Sequence, residues 1–248
     1  MIKGLYTSAL GLSVLNKQQE ITSNNLANAQ TVGYKKDVLV AESFPEMLHY
    51  RLNAPEDYGK TPPQVGSLSL GVNISEVFID QSAGTRKTSE NPLAMSLAGE
   101  GFFTVSTPNG ERYTRNGDFT TDAQGRLVTT AGYPLIGEKG EIVLDGTGIQ
   151  VDQQGRIYNS DGVAVDRLKI VDFSTPLSKE GDTLFVGENP QTVAEPKVVQ
   201  GTIEQSNVQI LTEMVNMITI MRSYEANQKV IQSIDTSLDK AVNEVGRV

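Results

Sequence analysis

Apolar residues recur at helical spacing near both ends of the chain. Towards the C-terminus every seventh position is apolar, namely Met217, Tyr224, Ile231, Leu238 and Val245. Most of the complementary seam is also apolar, namely Met214, Met221 and Val242. Near the N-terminus Leu5, Leu12, Leu15 and Leu26 lie close to one stripe of a helix. These patterns predict an N-terminal helix over residues 2–29 and a C-terminal helix over residues 206–245.

The middle of the chain has the pattern of short strands joined by tight turns. Residues 102–105 and 112–114 flank Pro108-Asn109-Gly110, which predicts a hairpin because Asn-Gly accepts positive φ at both turn positions. A weak repeat follows, in which Asp122, Gly125 and Gly132 match Asp152, Gly155 and Gly162. A calcium loop needs alternating oxygen ligands and a closing Glu, which both copies lack, so we interpret the repeat as two similar turns.

The segment between the first helix and the hairpin predicts mixed structure. Ser43 to Glu46 reads as a capping box that starts a short helix, which carries Met47, Leu48 and Leu52 and ends near Pro55. Residues 58–66 read as an extended linker. A strand with one buried face should follow, because Leu68, Leu70, Val72 and Ile74 alternate with small or polar residues. The apolar run at residues 77–79 breaks this alternation and predicts a bulge or turn at residues 75–76.

The predicted fold class is α+β, with long terminal helices pairing as a coiled-coil-like rod domain and an inserted all-β domain of short antiparallel strands. The expected divisions are an N-terminal helical segment (1–36), a short helix with an extended linker (37–66), the β domain (67–190), a linker (191–205) and the C-terminal helix (206–248). Ser206 and Gln209 predict a capping box for the last helix, which starts no later than Thr212.

Composition excludes several function classes. The net charge of −9 and the absence of a basic cluster argue against nucleic-acid binding. The chain has no Cys, which excludes disulfides and thiolate metal sites. Lys3 precedes an apolar stretch and residues 27–29 resemble a cleavage site, but polar residues 16–20 separate the two, so we expect no cleaved signal peptide. No run approaches the ~20 apolar residues of a membrane span.

No catalytic constellation is recognisable, and we expect no enzymatic activity, cofactor or metal. The one His, His49, falls on the predicted short helix, far from the β domain. Paired carboxylates for glycoside cleavage remain an open alternative, because thirty acidic residues always offer candidates. A second alternative is an extracellular β-domain adhesin or glycan-binding module, which would leave the long terminal helices without a role.

The C-terminal helix predicts assembly. Apolar residues off its heptad series, namely Ile210, Leu211, Ile218, Ile220 and Ile234, make it apolar on more than one face. Such a helix needs several neighbours at once. A helix of about forty residues would span about 60 Å, longer than a small β domain is wide. We therefore expect one neighbour to be the N-terminal helix of the same chain and the others to be further copies.

Three sets of motifs resemble those of the axial proteins of the bacterial flagellum, and most closely the basal-body rod proteins. They are Ser23-Asn24-Asn25-Leu26-Ala27-Asn28-Ala29 with Gly33-Tyr34-Lys35, Gly101-Phe102-Phe103 with Tyr113-Thr114-Arg115 and Gly117, and Gln200-Gly201 with Glu204, Ser206-Asn207-Val208 and Met214. The resemblance implies terminal helices that form the inner tube of the rod, a β domain outside it, and type III export by the flagellum's own apparatus. Implied partners are copies of the chain and other axial proteins of rod and hook. The length fits both proximal and distal rod members, and we favour the distal type.

The expected subunit-interface residues are Leu5, Leu12, Leu15, Asn24, Asn25, Leu26, Asn28, Met214, Met217, Ile218, Met221, Tyr224, Ile231, Leu238, Val242 and Val245. Two interpretations of the Asn residues stay open. Their amides either bond across to neighbouring backbones or cap the helix end locally. Gly33 is expected to supply a positive φ where the chain leaves the first helix.

Overall fold

A computed structural model describes residues 2–50, 64–144, 148–159 and 162–245. The chain divides into two compact units. The terminal unit consists of Met1–Asn24, Val38–Val77 and Leu211–Val248, and the β unit consists of Asn25–Asp37 and Phe78–Ile210. Helices at both ends and an antiparallel β region between them confirm the α+β class.

The two long helices begin and end close to where the sequence predicts. Helix α1 is Ile2–Ala27, and helix α2 is Ile210–Lys240, which continues into the π-helical turn Ala241–Val245. The predicted capping box at Ser206 is wrong, because α2 starts four residues later. The Ser206 hydroxyl instead accepts a hydrogen bond from the backbone N of Val208 (3.2 Å), which forms a tight turn before the helix.

The segment predicted as a short helix is β structure. The segment ahead of it forms strand β1 (Asp37–Ser43), and its own first part forms strand β2 (Met47–Tyr50), which carries His49. Strand β2 pairs antiparallel with β3 (Gln64–Leu68), so a partner distant in sequence overrides the local helix signal. The Glu46 carboxylate accepts a hydrogen bond from the Ser67 hydroxyl across this pair instead of capping a helix. The remainder of the predicted helix, with Leu52 and Pro55, and most of the predicted linker lie outside the described residues.

The predicted turn at residues 75–76 is also wrong, whereas a bulge there stays a prediction. Strand β4 runs without interruption over Val72–Ile79 and pairs with β1. Its residues are mostly exposed, with Val72 at 38%, so the expected buried face is not found. The alternation that the sequence shows spans two separate strands, since Leu68 ends β3 and Val72 begins β4.

The β unit is built on a six-stranded antiparallel sheet in the order β15-β16-β8-β7-β14-β17. Smaller groups add β11-β12-β13 and the pairs β9–β10, β6–β18 and β5–β19. The strands are β5 (Arg86–Thr88), β6 (Met95–Leu97), β7 (Phe102–Thr107), β8 (Gly110–Thr114), β9 (Phe119–Thr121), β10 (Leu127–Thr129), β11 (Ile149–Val151), β12 (Arg156–Asn159), β13 (Ala164–Arg167), β14 (Ile170–Asp172), β15 (Ser178–Glu180), β16 (Leu184–Val186), β17 (Gln191–Thr192), β18 (Val198–Gln200) and β19 (Thr202–Glu204).

The segment over 191–205, predicted as a linker, belongs to the fold. It contributes β17, β18 and β19, and β18 pairs with β6 in a register that joins Val198 to Leu97. Val198 is only 2% exposed, so this returning chain closes the core instead of bridging two domains.

The core of the β unit lies on both faces of strand β7. Successive side chains of a strand point to opposite faces, and Phe103 and Phe102 accordingly enter two different clusters of buried apolar residues. Phe103 packs edge-on against Phe119, with ring centroids 5.3 Å apart, and Phe102 packs against Phe185 at the same separation. Burial on both faces explains why residues 102–105 form a continuous buried run.

The predicted hairpin and repeated turns are both present. Strands β7 and β8 pair antiparallel up to Thr107 opposite Gly110. Positive φ occurs at Gly110 (105°), whereas the expectation of positive φ at Asn109 is wrong, because Pro108 and Asn109 fill the two-residue loop with negative φ. In the repeat, the Oδ1 atoms of Asp122 and Asp152 accept hydrogen bonds from the backbone N atoms two and four residues later, at 2.8–2.9 Å, as turn residues do.

Candidate subunit interface

One stripe of α2 is covered within the chain. Glu213 and Ile220 are buried. The stripe continues at alternating steps of three and four residues through half-buried side chains, namely Met217, Tyr224, Asn227, Ile231, Ile234 and Leu238. This spacing is the heptad pattern of a helix that faces another helix. The covered stripe therefore contains the predicted seventh-residue positions that start at Met217. The other half of the stripe is formed by the positions that include Ile220 and Ile234, and not by Met214 and Met221 as predicted.

A second face of α2 is apolar and uncovered. We name it the α2 outer face, and it consists of Leu211 (79% exposed), Val215 (62%), Ile218 (51%), Met221 (50%) and Met214 (49%). At 100° per residue Leu211, Val215 and Ile218 lie more than a third of a turn from the centre of the covered stripe, and Met214 and Met221 lie on the flank nearer to it. Exposed Arg222 and Glu225 follow directly, so charged residues bound this apolar face at its C-terminal end.

Helix α1 runs antiparallel to α2 with small residues on the facing side. A Cβ placed on Gly4 would lie 3.3 Å from Cδ1 of Ile234, and one placed on Gly11 would lie 3.5 Å from Nδ2 of Asn227. Seven residues forward on α1 thus correspond to seven residues backward on α2. These contacts place the helices side by side, and their coiled-coil-like pairing stays a prediction.

The opposite side of α1 is exposed and carries no charge over its first half. We name it the α1 outer face, and it consists of Tyr6, Ala9, Ser13 and Asn16. Tyr6 is 54% exposed. The sequence from Gly4 to Asn16 contains no charged residue. An exposed helical face without charged side chains is typical of a surface that another element covers.

The predicted interface residues fall into exposed and half-buried groups in the single chain. Met214, Ile218, Met221 and Val242 are exposed, as is Leu5 at 37%. The half-buried group consists of Leu12, Leu15, Leu26, Met217, Tyr224, Ile231 and Leu238. The side chain of Val245 lies outside the described part of the structure. Their participation in contacts between copies stays a prediction.

The Asn residues divide between the two interpretations. Asn25 is 3% exposed and bonds within its own chain, since its Oδ1 accepts from the Tyr34 hydroxyl (3.0 Å) and from the Asp37 backbone N (3.0 Å). Its Nδ2 donates to the Asp37 carbonyl (2.9 Å). Asn28 accepts a hydrogen bond from the Thr31 hydroxyl at Oδ1 (3.0 Å). Asn25 and Asn28 therefore bond within their own chain, and their contacts with another copy stay a prediction. Asn24 is exposed.

A buried ion cluster, which the sequence reasoning missed, lies within the β unit. We name it the junction cluster, and it consists of Lys35, Glu204 and Arg115, which are 1%, 2% and 6% exposed. Lys35 Nζ donates to Glu204 Oε1 (2.5 Å), and Arg115 Nη1 donates to Glu204 Oε2 (3.3 Å). Each residue lies in a different motif of the flagellar resemblance, which was the one available signal.

Electrostatics of the junction cluster reflect its burial. Desolvation lowers the pKa of Lys35, and the hydrogen bond and attraction from Glu204 oppose that shift. Burial likewise lowers the pKa of Arg115 against the attraction of Glu204. Further hydrogen bonds serve Lys35 and Glu204, from Lys35 Nζ to the Ser82 carbonyl (2.8 Å) and from the Gly84 backbone N to Glu204 Oε1 (3.0 Å), whereas Arg115 Nε is buried without a hydrogen-bond partner. A buried charge is tolerable only with such pairing.

The backbone around the junction cluster is equally constrained. Gly33 has a φ of 71°, and its N donates to the Glu204 carbonyl (2.8 Å). A Cβ at Gly33 would lie 2.3 Å from the Asn116 backbone N, so only Gly fits this close approach. Asn207 Oδ1 accepts from the Lys36 backbone N (2.8 Å). The segment that follows α1 and the segment that precedes α2 are thus bonded to each other inside the β unit.

The described residues offer no constellation with an evident chemical role. Among them no group of three or more His, Asp or Glu side chains could hold a metal ion. A cavity of about 620 Å³ lies beside Arg115 and Glu204, whose charges are already paired with each other. None of the helices in the described part of the chain is long and apolar enough to cross a membrane.

The chain has a β unit inserted between two terminal helices, and apolar helix faces are left uncovered. It therefore belongs to the class of helix-flanked β proteins. Three family models match it in chain order, namely flagella basal body rod protein (residues 5–35), flagellar hook protein FlgE/F/G D1 domain (96–220) and flagellar basal body rod FlgEFG protein C-terminal (199–244). The chain therefore belongs to the flagellar basal-body rod protein family.

Curated relatives match along the whole length. The chain is 31% identical to the flagellar basal-body rod protein FlgF of Caulobacter vibrioides, with all of both chains covered. It is 30% identical to the flagellar hook-basal body complex protein FlhO of Bacillus subtilis, again over both whole chains. It is 30% identical to the flagellar basal-body rod protein FlgG of Buchnera aphidicola, with 97% of this chain and 98% of that one covered. The adhesin alternative gains no support from these similarities.

Proposed function

We propose that the chain is a structural subunit of the flagellar basal-body rod, which polymerises through its terminal helices into a helical tube that transmits torque from motor to hook. The α2 outer face supports the proposal, because it is an exposed apolar surface. It lies on the helix that the family model for the C-terminal region of rod proteins matches. We favour a distal position along the rod.

The energetics favour cover by other copies. Each apolar residue of the α2 outer face is 49–79% exposed. Full burial of such a side chain contributes about 1.5–3 kcal/mol, so covering the remaining half contributes about 1 kcal/mol per residue. Five such residues on one helix, repeated in every subunit, supply a cumulative driving force that a single chain leaves unused.

The proposed rod core consists of the two terminal segments, residues 1–36 and 206–248. Within the β unit, Glu204 binds Lys35 and Arg115 at one buried point, so the segment that follows α1 and the segment that precedes α2 are held together there.

We propose copies of the chain and other flagellar axial proteins as its partners, since its relatives are named as rod and hook–basal body proteins. We further propose export by the flagellar apparatus, in an unfolded state and without a cleaved signal peptide, and a location in the basal body. The absence of Cys suits such export, because no wrong cross-link can form outside the cytoplasm. No enzymatic role is proposed.

Replacing Ile218 with Asp tests this function. Ile218 is 51% exposed, so the free chain should fold normally. Burial of the new carboxylate in a contact between copies costs about 3 kcal/mol or more, which weakens each contact roughly 100-fold. A strain carrying Ile218→Asp as its only copy should lack complete rods in images of isolated basal bodies and should not swim.

Asn216→Asp provides the matched control. Asn216 is exposed and points to nearly the opposite side of α2, so the same charge there should leave rods and swimming intact. Circular dichroism of both purified variants checks the fold. Complete rods and normal swimming in the Ile218→Asp strain would refute the proposed assembly through α2. Retained rods after deletion of the gene would refute the rod function itself and return attention to a binding module.

A further inference from the structure

The geometry points to a specific pairing between copies, in which the α2 outer face of one chain packs against the α1 outer face of another. This inference rests on the proposed rod function and assigns each helix face a partner. In this pairing the covered α2 stripe packs within its own chain, whereas the α2 outer face packs against a neighbouring copy.

The first argument is that the two faces complement each other in size. The α2 outer face presents large side chains, among them Leu211, Met214 and Ile218. The α1 outer face presents small ones, Ala9 and Ser13, beside one ring, Tyr6. Small residues let a helix backbone approach closely, so large side chains can pack between them as knobs fit into holes.

The second argument is that the faces match in length and charge. Residues 6–16 and residues 211–221 each span ten steps along a helix, or about 15 Å. The α1 outer face carries no charge over this length. The five residues of the α2 outer face are uncharged as well. Glu213, which lies among them in sequence, is buried in the covered stripe, and Arg222 follows the face directly. An uncharged face can be covered by an apolar one without desolvating a charge.

Both outer faces belong to the same molecule, and both are exposed at the same time. α1 and α2 face each other through Gly4 and Gly11, so their outer faces remain available together. A second copy that places its α1 outer face on the α2 outer face of the first leaves one face of each kind free at the two ends. Such a head-to-tail contact builds a filament when its rotation does not close into a ring, as the proposed rod requires, whereas a two-fold dimer would stop at two chains.

Cysteine cross-linking tests the pairing directly, because the natural chain contains no Cys. We would introduce Ser13→Cys or Ala9→Cys together with Val215→Cys or Ile218→Cys, which gives four double variants that sample the register. Within one chain Ser13 is level with about residue 225, so Val215 lies about 15 Å away along the helix and out of disulfide reach. Any such disulfide must join two copies.

The expected result is a product of twice the 26.9 kDa chain mass after mild oxidation of isolated basal bodies from strains carrying each double variant. At least one of the four should give it, and no single-Cys variant should. Ser13→Cys with Asn216→Cys is the matched negative control, because Asn216 lies on the far side of α2. Gly4→Cys with Ile234→Cys is the positive control for oxidation within a chain.

The outcomes separate this inference from the function on which it rests. Complete rods and swimming, with oxidation in the positive control but no dimeric product from the four double variants, would overturn the pairing and leave the rod function standing. Equal dimeric product from the Asn216→Cys control would also overturn it, because it would show contact without a preferred face. Rods and swimming that persist without the gene would overturn the function and the pairing together.

Discussion

Replacing Glu204 with Gln should destabilise the β unit far more than an ordinary loss of one surface charge. The Glu204 carboxylate is 2% exposed and accepts hydrogen bonds from Lys35, Arg115 and the Gly84 backbone. Gln keeps the size of the side chain and one acceptor but removes the negative charge. Two buried cations then share a site with no counter-ion.

The magnitude follows from the burial. Removing one partner of a buried ion pair costs about 3–5 kcal/mol, because the remaining charge stays desolvated and unpaired. We expect the lower part of this range, since the Gln carbonyl still accepts a hydrogen bond from Lys35. At a denaturant dependence of about 2 kcal/mol/M, a loss of about 3 kcal/mol lowers the urea midpoint by roughly 1.5 M.

Urea denaturation of the full chain, followed by far-UV circular dichroism at neutral pH, measures this change. Glu111→Gln is the matched control, because Glu111 pairs with Lys169 at 2.9 Å but its side chain is 45% exposed. Exposed pairs contribute about 0–1 kcal/mol, so the control should hardly move the midpoint. Equal midpoints for the two variants would refute the view that the junction cluster secures the fold.

Two further perturbations test the surroundings of the junction. Gly33→Ala should cost about 1–3 kcal/mol in backbone strain plus the clash with Asn116, whereas Gly132→Ala, with φ of 85° and open space around its Cβ position, should show the strain alone. Equal losses of urea stability would contradict a close approach at Gly33. Asp80→Asn should change the pH dependence of stability. Burial alone would raise the pKa of Asp80, but hydrogen bonds from Ser82 and pairing with Lys36 lower it below its usual 3.8. The charged carboxylate therefore stabilises the fold above pH 3.8, and its contribution is lost as the pH falls through the lowered pKa. The stability difference between the natural chain and Asp80→Asn should shrink between pH 6 and pH 2, and a constant difference in urea titrations across that range would contradict this reasoning.

Structure that depends on residues close in sequence was predictable. The hairpin at residues 102–114 and the paired Asp-Gly turns formed as expected, because their partners are close in sequence, with Phe103 opposite Thr114 as the widest pair. Both long helices were also predictable, since a 3.6-residue period over many turns has few other structural explanations.

Structure that depends on distant partners was mispredicted. The strand Met47–Tyr50 carries a convincing helix start, yet it pairs with Gln64–Leu68. The apparent linker over 191–205 pairs with β14, β6 and β5, which lie far earlier in the chain. A strand gains its hydrogen bonds from a neighbour, so its own sequence states only part of the reason for its conformation.

The candidate interface shows the same division. The sequence alone identified an α2 with more apolar residues than one face can hold, because apolar spacing along a helix is a local property. Only the tertiary structure decided which face serves the chain, by placing α1 beside the stripe of Ile220 and Ile234 and leaving Leu211 and Ile218 uncovered.

The sequence by itself determined the helix–β–helix order, the turns and the family to which the motifs belong. Only the tertiary structure could join Lys35, Arg115 and Glu204, which lie up to 169 positions apart, into one buried cluster. The physical reason is that apolar periodicity and turn formation depend on residues close to each other in sequence. The pairing of buried charges and of strands depends instead on which distant segments the folded chain brings together.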